Sequence, residues 1–227
     1  MSIEAILILI ESVLLIVTII LLLYSIKESW RRKELLLAVG KATKILTRIE
    51  YFTAVSDSIT EAEEDIIGYV TGRHTIDDDE KRVATILNAI KRATSRGVRV
   101  QYILPKFHDR LYMGYLYSAA GAEVKYRPSL VIQSLRYMVV DSKTVIIGIP
   151  ETTDQEEMTS KGHWLPSKAL ADILKNHFYA RWNNSLSFGE FFNEVLKQTD
   201  ASTNELALEL GIDVKRLKKV LSMQQTG

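Results

Sequence analysis

The sequence predicts a layered α/β domain, tethered by an N-terminal transmembrane helix and followed by a small C-terminal three-helix module. Three observations lead there. Residues 3–26 form a long, predominantly apolar run. The middle of the chain alternates β-branched, strand-like stretches with amphipathic helical ones, and residues 188–227 return to helical periodicity alone. The expected organisation is a transmembrane helix at 3–26, a juxtamembrane helical stalk at 27–56, the α/β domain at 57–187 and the helical module at 188–227.

Bulk composition narrows the function classes. The 227 residues carry a formal net charge of +1, so any affinity for a polyanion has to come from a local cluster. There is no cysteine, which excludes disulfides, zinc–thiolate sites and a cysteine nucleophile. No cofactor is expected.

A helix over residues 3–26 rises roughly 36 Å, enough for a hydrocarbon core about 30 Å thick. A cleaved signal peptide fits poorly: Glu4 stands where basic residues belong, and no small-residue cleavage site follows. Lys27, Arg31, Arg32 and Lys33 follow the span, with Lys41 and Lys44 beyond, and no cation precedes it. The positive-inside rule then places the N-terminus outside and the rest of the chain in the cytoplasm, in a single-pass cell-membrane protein. Trp30 suits the interfacial belt, and Glu11 lies close enough to the outer end to reach water.

Residues 27–64 read as mainly helical. Ile45, Ile49, Phe52, Val55, Ile59 and Ala62 recur at steps of three and four, which makes one apolar stripe. DIIGYVTG (65–72) reads as a strand entering a Gly turn, and residues 77–95 as a helix with Val83, Ile86, Leu87, Ile90 and Ala93 on one face. The acidic run 77–80 complements the positive end of that helix and reads as its solvated start. Gly97 ends it. VRVQYILP (98–105) is the next strand, 109–120 the next helix, and AEVKY (122–126) a short strand. LRYMVVD and TVIIG form two strands around an Asp-Ser-Lys turn at 141–143. Residues 166–183 form a helix with Leu170, Ile173, Leu174, Phe178 and Trp182 in one stripe. In sheets of this kind ligands gather beyond the strand C-termini.

Three stretches, RATSRGVRVQYILP, AAGAEVKY and SLRYMVVDSKTVIIG, taken together resemble one half of the phospholipase D-like superfamily, over about residues 57–185. The family's signature strand reads His-x-Lys-x4-Asp-x6-Gly. Laid on this chain, Ser134 stands at the His position, Arg136 at the Lys position, Asp141 at the Asp position and Gly148 at the Gly position. The resemblance implies an enzyme that attacks phosphorus with a histidine. A serine hydroxyl does not replace an imidazole without a general base of its own. Ile149, Pro150 and Glu151 stand where the family carries a small hydroxylated residue and, soon after, an Asn. The expectation is therefore a pseudoenzyme, with Arg136 retained as a planar phosphate fork. His74, His108 and His163 each follow a strand-like segment and are the candidate substitute set, should they meet at one rim of the sheet.

TNELALELGIDVKRLKKVLS (203–222) resembles a helix-turn-helix. Ala207 permits a close helix crossing, Gly211 supplies a left-handed turn, and Leu210, Leu217 and Val220 pack the pair. Thr203 and Asp213 are the expected caps. Lys215, Arg216, Lys218 and Lys219 form a basic face fit for DNA or an acidic protein surface. Few base-reading side chains accompany them.

The function these features imply is a membrane-anchored, cytoplasm-facing, non-catalytic regulator or adaptor. It binds a ligand, DNA or a protein partner and works as a homodimer, since single-half family members pair to build their sites. Some archaeal sugar-responsive transcription regulators carry a similar domain without the full catalytic set. The alternatives are a membrane-bound phosphodiesterase with an altered site, acting on nucleic acid or phospholipid, and a structural membrane protein.

Overall fold

The structure is a computed structural model that describes residues 44–72, 80–128, 136–150 and 159–223. Its strands are β1 (Lys44–Thr47), β2 (Asp65–Tyr69), β3 (Arg99–Pro105), β4 (Glu123–Arg127), β5 (Arg136–Val140), β6 (Thr144–Pro150), β7 (Thr159–Leu165) and β8 (Leu186–Ser187). Its helices are α1 (Arg48–Glu61), α2 (Glu80–Ser95), α3 (Leu111–Ala119), α4 (Lys168–Trp182), α5 (Phe188–Thr199), α6 (Thr203–Glu209) and α7 (Val214–Met223), with a 3-10 turn at His108–Arg110. The strands make one mixed sheet in the order β1-β7-β6-β5-β2-β3-β4-β8. β2, β3 and β4 run parallel through the crossovers α2 and α3, while β5, β6 and β7 follow as antiparallel neighbours. The chain is thus a layered α/β protein, as the alternating pattern predicts.

Both faces of the sheet are covered. On one, Ile66, Val100, Tyr102, Leu104, Met138, Val140 and Ile146 join Ile59 of α1 and Ile90 of α2 in a single core. On the other, Ile67, Tyr69, Ile103, Tyr137, Val139 and Val145 lie beneath α4, whose Ala171, Leu174, Phe178 and Trp182 are buried. Ile173, expected in the buried stripe of α4, is 63% exposed; Ala171 takes that position. A continuous strand such as DIIGY, buried at every residue, belongs in a sheet with two covered faces.

One expectation fails at the start of the described chain. Residues 44–47 form a strand, not a turn of the predicted stalk helix, and pair antiparallel with β7. Ile45 and Ile49 mimic a helical repeat, yet both are more than 60% exposed, and Leu46 between them is buried. The pleat places Leu46 inward, so sheet pairing overrides the apparent period. The helix begins one residue later, at a capping box in which Glu50 and Thr47 exchange hydrogen bonds. The same Ser/Thr-x-x-Glu device opens α5 at Ser187–Glu190 and α6 at Ser202–Glu205. Backbone and hydroxyl donors of the cap residues hold all three carboxyls below their ordinary pKa. The cap of α6 is therefore Ser202, and not Thr203 as the sequence suggests.

The helices beyond residue 187 share the core of the sheet. Phe188, Phe191, Phe192, Leu206, Ala207, Leu217 and Val220 join Leu111, Tyr115 and Tyr126 in one cluster. The Tyr126 and Phe191 rings lie 4.5 Å apart. Lys44–Gly227 forms a single compact unit, in which the expected boundary at 187/188 falls between β8, paired to β4, and the helix that follows it.

Candidate functional site

The signature strand is β5, and its first residue, Arg136, sits level with the C-terminal ends of the parallel strands. Its register partners run Arg136–Gly148–Gly162–Leu46 across β5, β6, β7 and β1. Two of the four are glycines, which opens space on this face of the sheet. Tyr51 of α1 fills it: a Cβ built on Gly162 would lie 2.3 Å from Tyr51 Cδ2. Burial raises the Tyr51 phenol above its ordinary pKa, and the Arg136 guanidinium opposes that shift. The rings of Tyr102 and Tyr117 pack edge to face nearby, 5.3 Å apart, and burial raises both phenols. Arg136 is 6% exposed. It is a cation enclosed beside Tyr51, not one held out to solvent.

Asp141 lies at the opposite end of β5, about 17 Å away at roughly 3.3 Å per residue. Its carboxylate accepts from three consecutive backbone donors, Glu63 N at 3.0 Å, Glu64 N at 2.8 Å and Asp65 N at 3.1 Å. Asp141 and Ser142 both have positive φ, 51° and 52°, and close the β5–β6 hairpin in a left-handed turn. Beside them Lys175 of α4 donates to Asp65 Oδ2 and to Ser142 Oγ, each at 2.7 Å. The structure does not bring Arg136 and Asp141 together. Asp141 fixes the corner between α1 and β2.

His108 and His163 separate as well. Ser134 and His74 lie outside the described residues. His108 is exposed on the 3-10 turn after β3. His163 is within β7 and not after a strand; it pairs with Ile147 and Ile45, which puts it on the face opposite Arg136. Four strand spacings separate β3 from β7, about 19 Å at roughly 4.8 Å each. Among the described residues no group of three His, Cys, Asp or Glu is placed to hold a metal ion.

Sequence reasoning passed over His177. It lies in an amphipathic helix, and only the fold shows that its Nδ1 stands 3.0 Å from the Tyr137 hydroxyl. Burial, with the Arg181 guanidinium second, lowers its pKa.

The C-terminal pair α6–α7 matches its expected turn chemistry. Gly211 has φ +65°, Ile212 N bonds the Ala207 carbonyl at 2.8 Å, and Asp213 caps α7 through Arg216 N at 2.9 Å. Leu206, Ala207, Leu217 and Val220 are buried. Lys215, Arg216, Lys218 and Lys219 are all exposed on α7. Among the described residues none of the four forms an ion pair.

The span 3–26 and its flank Trp30, Arg31, Arg32 and Lys33 lie outside the described residues. Among the described residues no helix is long and apolar enough to cross a membrane.

No family model matches the chain, and neither does any curated protein. Among solved structures it is similar to TrmBL2, an archaeal chromatin protein whose structure shows a novel mode of DNA binding. That likeness has 14% identity and a TM-score of 0.47, and covers 71% of this chain and 63% of the other. The chain thus spans less than two thirds of that protein. Nuc from Salmonella typhimurium, a phospholipase D family member, is 17% identical with a TM-score of 0.48, over 64% of this chain and 96% of its own. NucT from Helicobacter pylori is 15% identical with a TM-score of 0.48, over 64% and 98%.

Proposed function

We propose that this chain is a membrane-tethered, cytoplasm-facing phospholipase D-like scaffold that binds DNA through α7 as a homodimeric regulator, without phosphodiester chemistry of its own. The observation that carries the reading is the basic face of α7. Four exposed cations stand on one short helix, without acidic partners among the described residues. Their helix is anchored by Leu217 and Val220 in the domain core, so the charges are held in fixed positions. Unpaired, preorganised cations of this kind suit a phosphate backbone, where counterion release drives binding. The nearby carboxylate, Asp213, is committed to capping α7 through Arg216 N, and among the described residues no ion pair neutralises the four cations.

The non-catalytic half of the reading is supported by the setting of Arg136. A phosphate-binding cation in a working site faces its substrate, whereas Arg136 is enclosed, and Tyr51 packs over Gly162, two strands away in the same register row.

The experiment is a gel shift with the full chain in detergent micelles and a duplex DNA fragment across a salt series. Binding is expected to weaken with a log–log slope near −0.9 per phosphate contacted. The double variant Lys215→Glu/Lys218→Glu is expected to lose about tenfold or more in affinity at fixed salt. Absence of a shift at low salt, or a shift indifferent to the double variant, removes the DNA reading. Turnover of bis-p-nitrophenyl phosphate that Arg136→Ala abolishes would instead establish the phosphodiesterase alternative.

A further inference from the structure

The face of the sheet beneath α4 carries a second cluster, separate from both sites above. Tyr69 on β2 and Tyr137 on β5 are cross-strand partners with rings 5.3 Å apart, and the His177 ring lies 5.6 Å from Tyr69. The Tyr137 hydroxyl donates to the Leu174 carbonyl at 3.2 Å and meets His177 Nδ1 at 3.0 Å. Tyr69 is different. It is 3% exposed, and its hydroxyl is buried with no hydrogen-bond partner among the described residues. A buried hydroxyl without an acceptor is costly, and native structures rarely retain one without a reason.

Two cations stand beside it. Arg181, in the last turn of α4, donates from Nη1 to the His177 carbonyl at 3.1 Å, and Arg127, ending β4, reaches the Arg181 carbonyl at 3.5 Å. Both guanidiniums act electrostatically on the Tyr69 phenol. Each carries five N–H donors, so most remain uncommitted, and among the described residues neither cation is in an ion pair. Lys125 adds a third charge, bonding the Trp182 carbonyl at 3.3 Å. The negative end of α4 explains why cations collect here. The Glu190 carboxylate interacts with Lys125, but a half-charge does not balance the two guanidiniums, and it offers Tyr69 no acceptor. Arg127, His177 and Arg181 are half-exposed, so the cluster reaches solvent.

We propose that Tyr69, His177, Arg127 and Arg181 bind the oxyanion of a phosphate group, free or as a monoester, on the sheet face opposite Arg136. A tetrahedral oxyanion supplies the acceptor that Tyr69 lacks and the charge that the two guanidinium forks match. The assignment is independent of DNA binding at α7.

Calorimetric titration of the full chain in detergent micelles with inorganic phosphate tests it. Wild type is expected to bind in the millimolar range or tighter, with about tenfold loss on Arg127→Ala or Arg181→Ala. Tyr69→Phe keeps the ring and removes the unpartnered hydroxyl. It is expected to leave thermal stability in phosphate-free buffer unchanged or higher, while weakening phosphate binding several-fold. Lys215→Glu/Lys218→Glu on α7 leaves phosphate binding as in wild type. A nucleoside monophosphate that binds tighter than phosphate, with the same sensitivity to the three variants, identifies an esterified ligand; equal or weaker binding identifies free phosphate. No phosphate binding by wild type at millimolar concentration overturns the proposal. So does an affinity that all three substitutions leave unchanged.

Discussion

Asp141 and Asp65 are bonded to each other twice through the backbone edge of the sheet: Asp65 N donates to Asp141 Oδ1 at 3.1 Å, and Asp141 N donates to the Asp65 carbonyl at 2.9 Å. The aspartate of the signature strand thus serves as a clasp between the β5–β6 hairpin and the entry to β2.

Replacing Asp141 with Ala removes an ionised acceptor from three N–H donors and puts an ill-suited residue at φ 51°. Bonds to a charged group contribute about 1.5–3 kcal/mol, and left-handed strain adds about 1 kcal/mol. With partial compensation by water, we expect a loss of about 3 kcal/mol on Asp141→Ala in chemical denaturation. Asp141→Asn keeps one acceptor oxygen and tolerates this conformation, so it is expected to lose about half as much. Equal losses would show that the charge contributes nothing.

Gly162→Ala would place a Cβ 2.3 Å from the Tyr51 ring and push α1 away from β7. Overpacking of this kind costs about 1–3 kcal/mol. Tyr51→Ala in the same chain vacates the space. The double variant is therefore expected to be more stable than the sum of the singles requires, by about 1 kcal/mol or more. Additive losses in a thermal-unfolding series would mean that Tyr51 does not fill that space.

His177 sets a pH dependence. Burial and Arg181 lower its pKa from the ordinary 6.5, so the folded state releases the proton more readily than the unfolded chain does. Its contribution is complete above about 6.5 and is lost as pH falls from there toward the lower folded value. The groups that face it are Tyr69, Tyr137 and Arg181. In phosphate-free buffer, stability should therefore decline below pH 6.5, and His177→Gln should flatten that part of the profile. An unchanged slope in the variant assigns the decline elsewhere.

The parallel half of the sheet was readable because its signals are local and agree with one another. Gly97 at φ +90° and Gly121 at φ +99° stop two helices where the sequence places the stops, and a short strand follows each. β7 was not readable. THR-SER-LYS-GLY-HIS-TRP-LEU mixes polar and apolar residues without alternation, and only pairing with β1 and β6 makes it a strand. β1 misled for a related reason, since four residues fit either period. At the site, the sequence located Arg136 and Asp141 but not their separation. The distance along β5 follows from strand geometry, whereas the tyrosine that acts on Arg136, Tyr51, comes from α1. The Tyr69–His177 cluster joins residues more than a hundred positions apart, and no local period announces it.

The shared packing of Tyr126 with Phe188 and Phe191 has a practical corollary for genetic dissection. Cutting the chain before Phe188 would strip the aromatic cover from the β4 side of the molecule and leave an adhesive, aggregation-prone remnant. Loss of activity in such a deletion would report insolubility as readily as a missing recognition element. Charge reversals on the solvent side of α7 avoid that confusion, because they leave every interior ring in place.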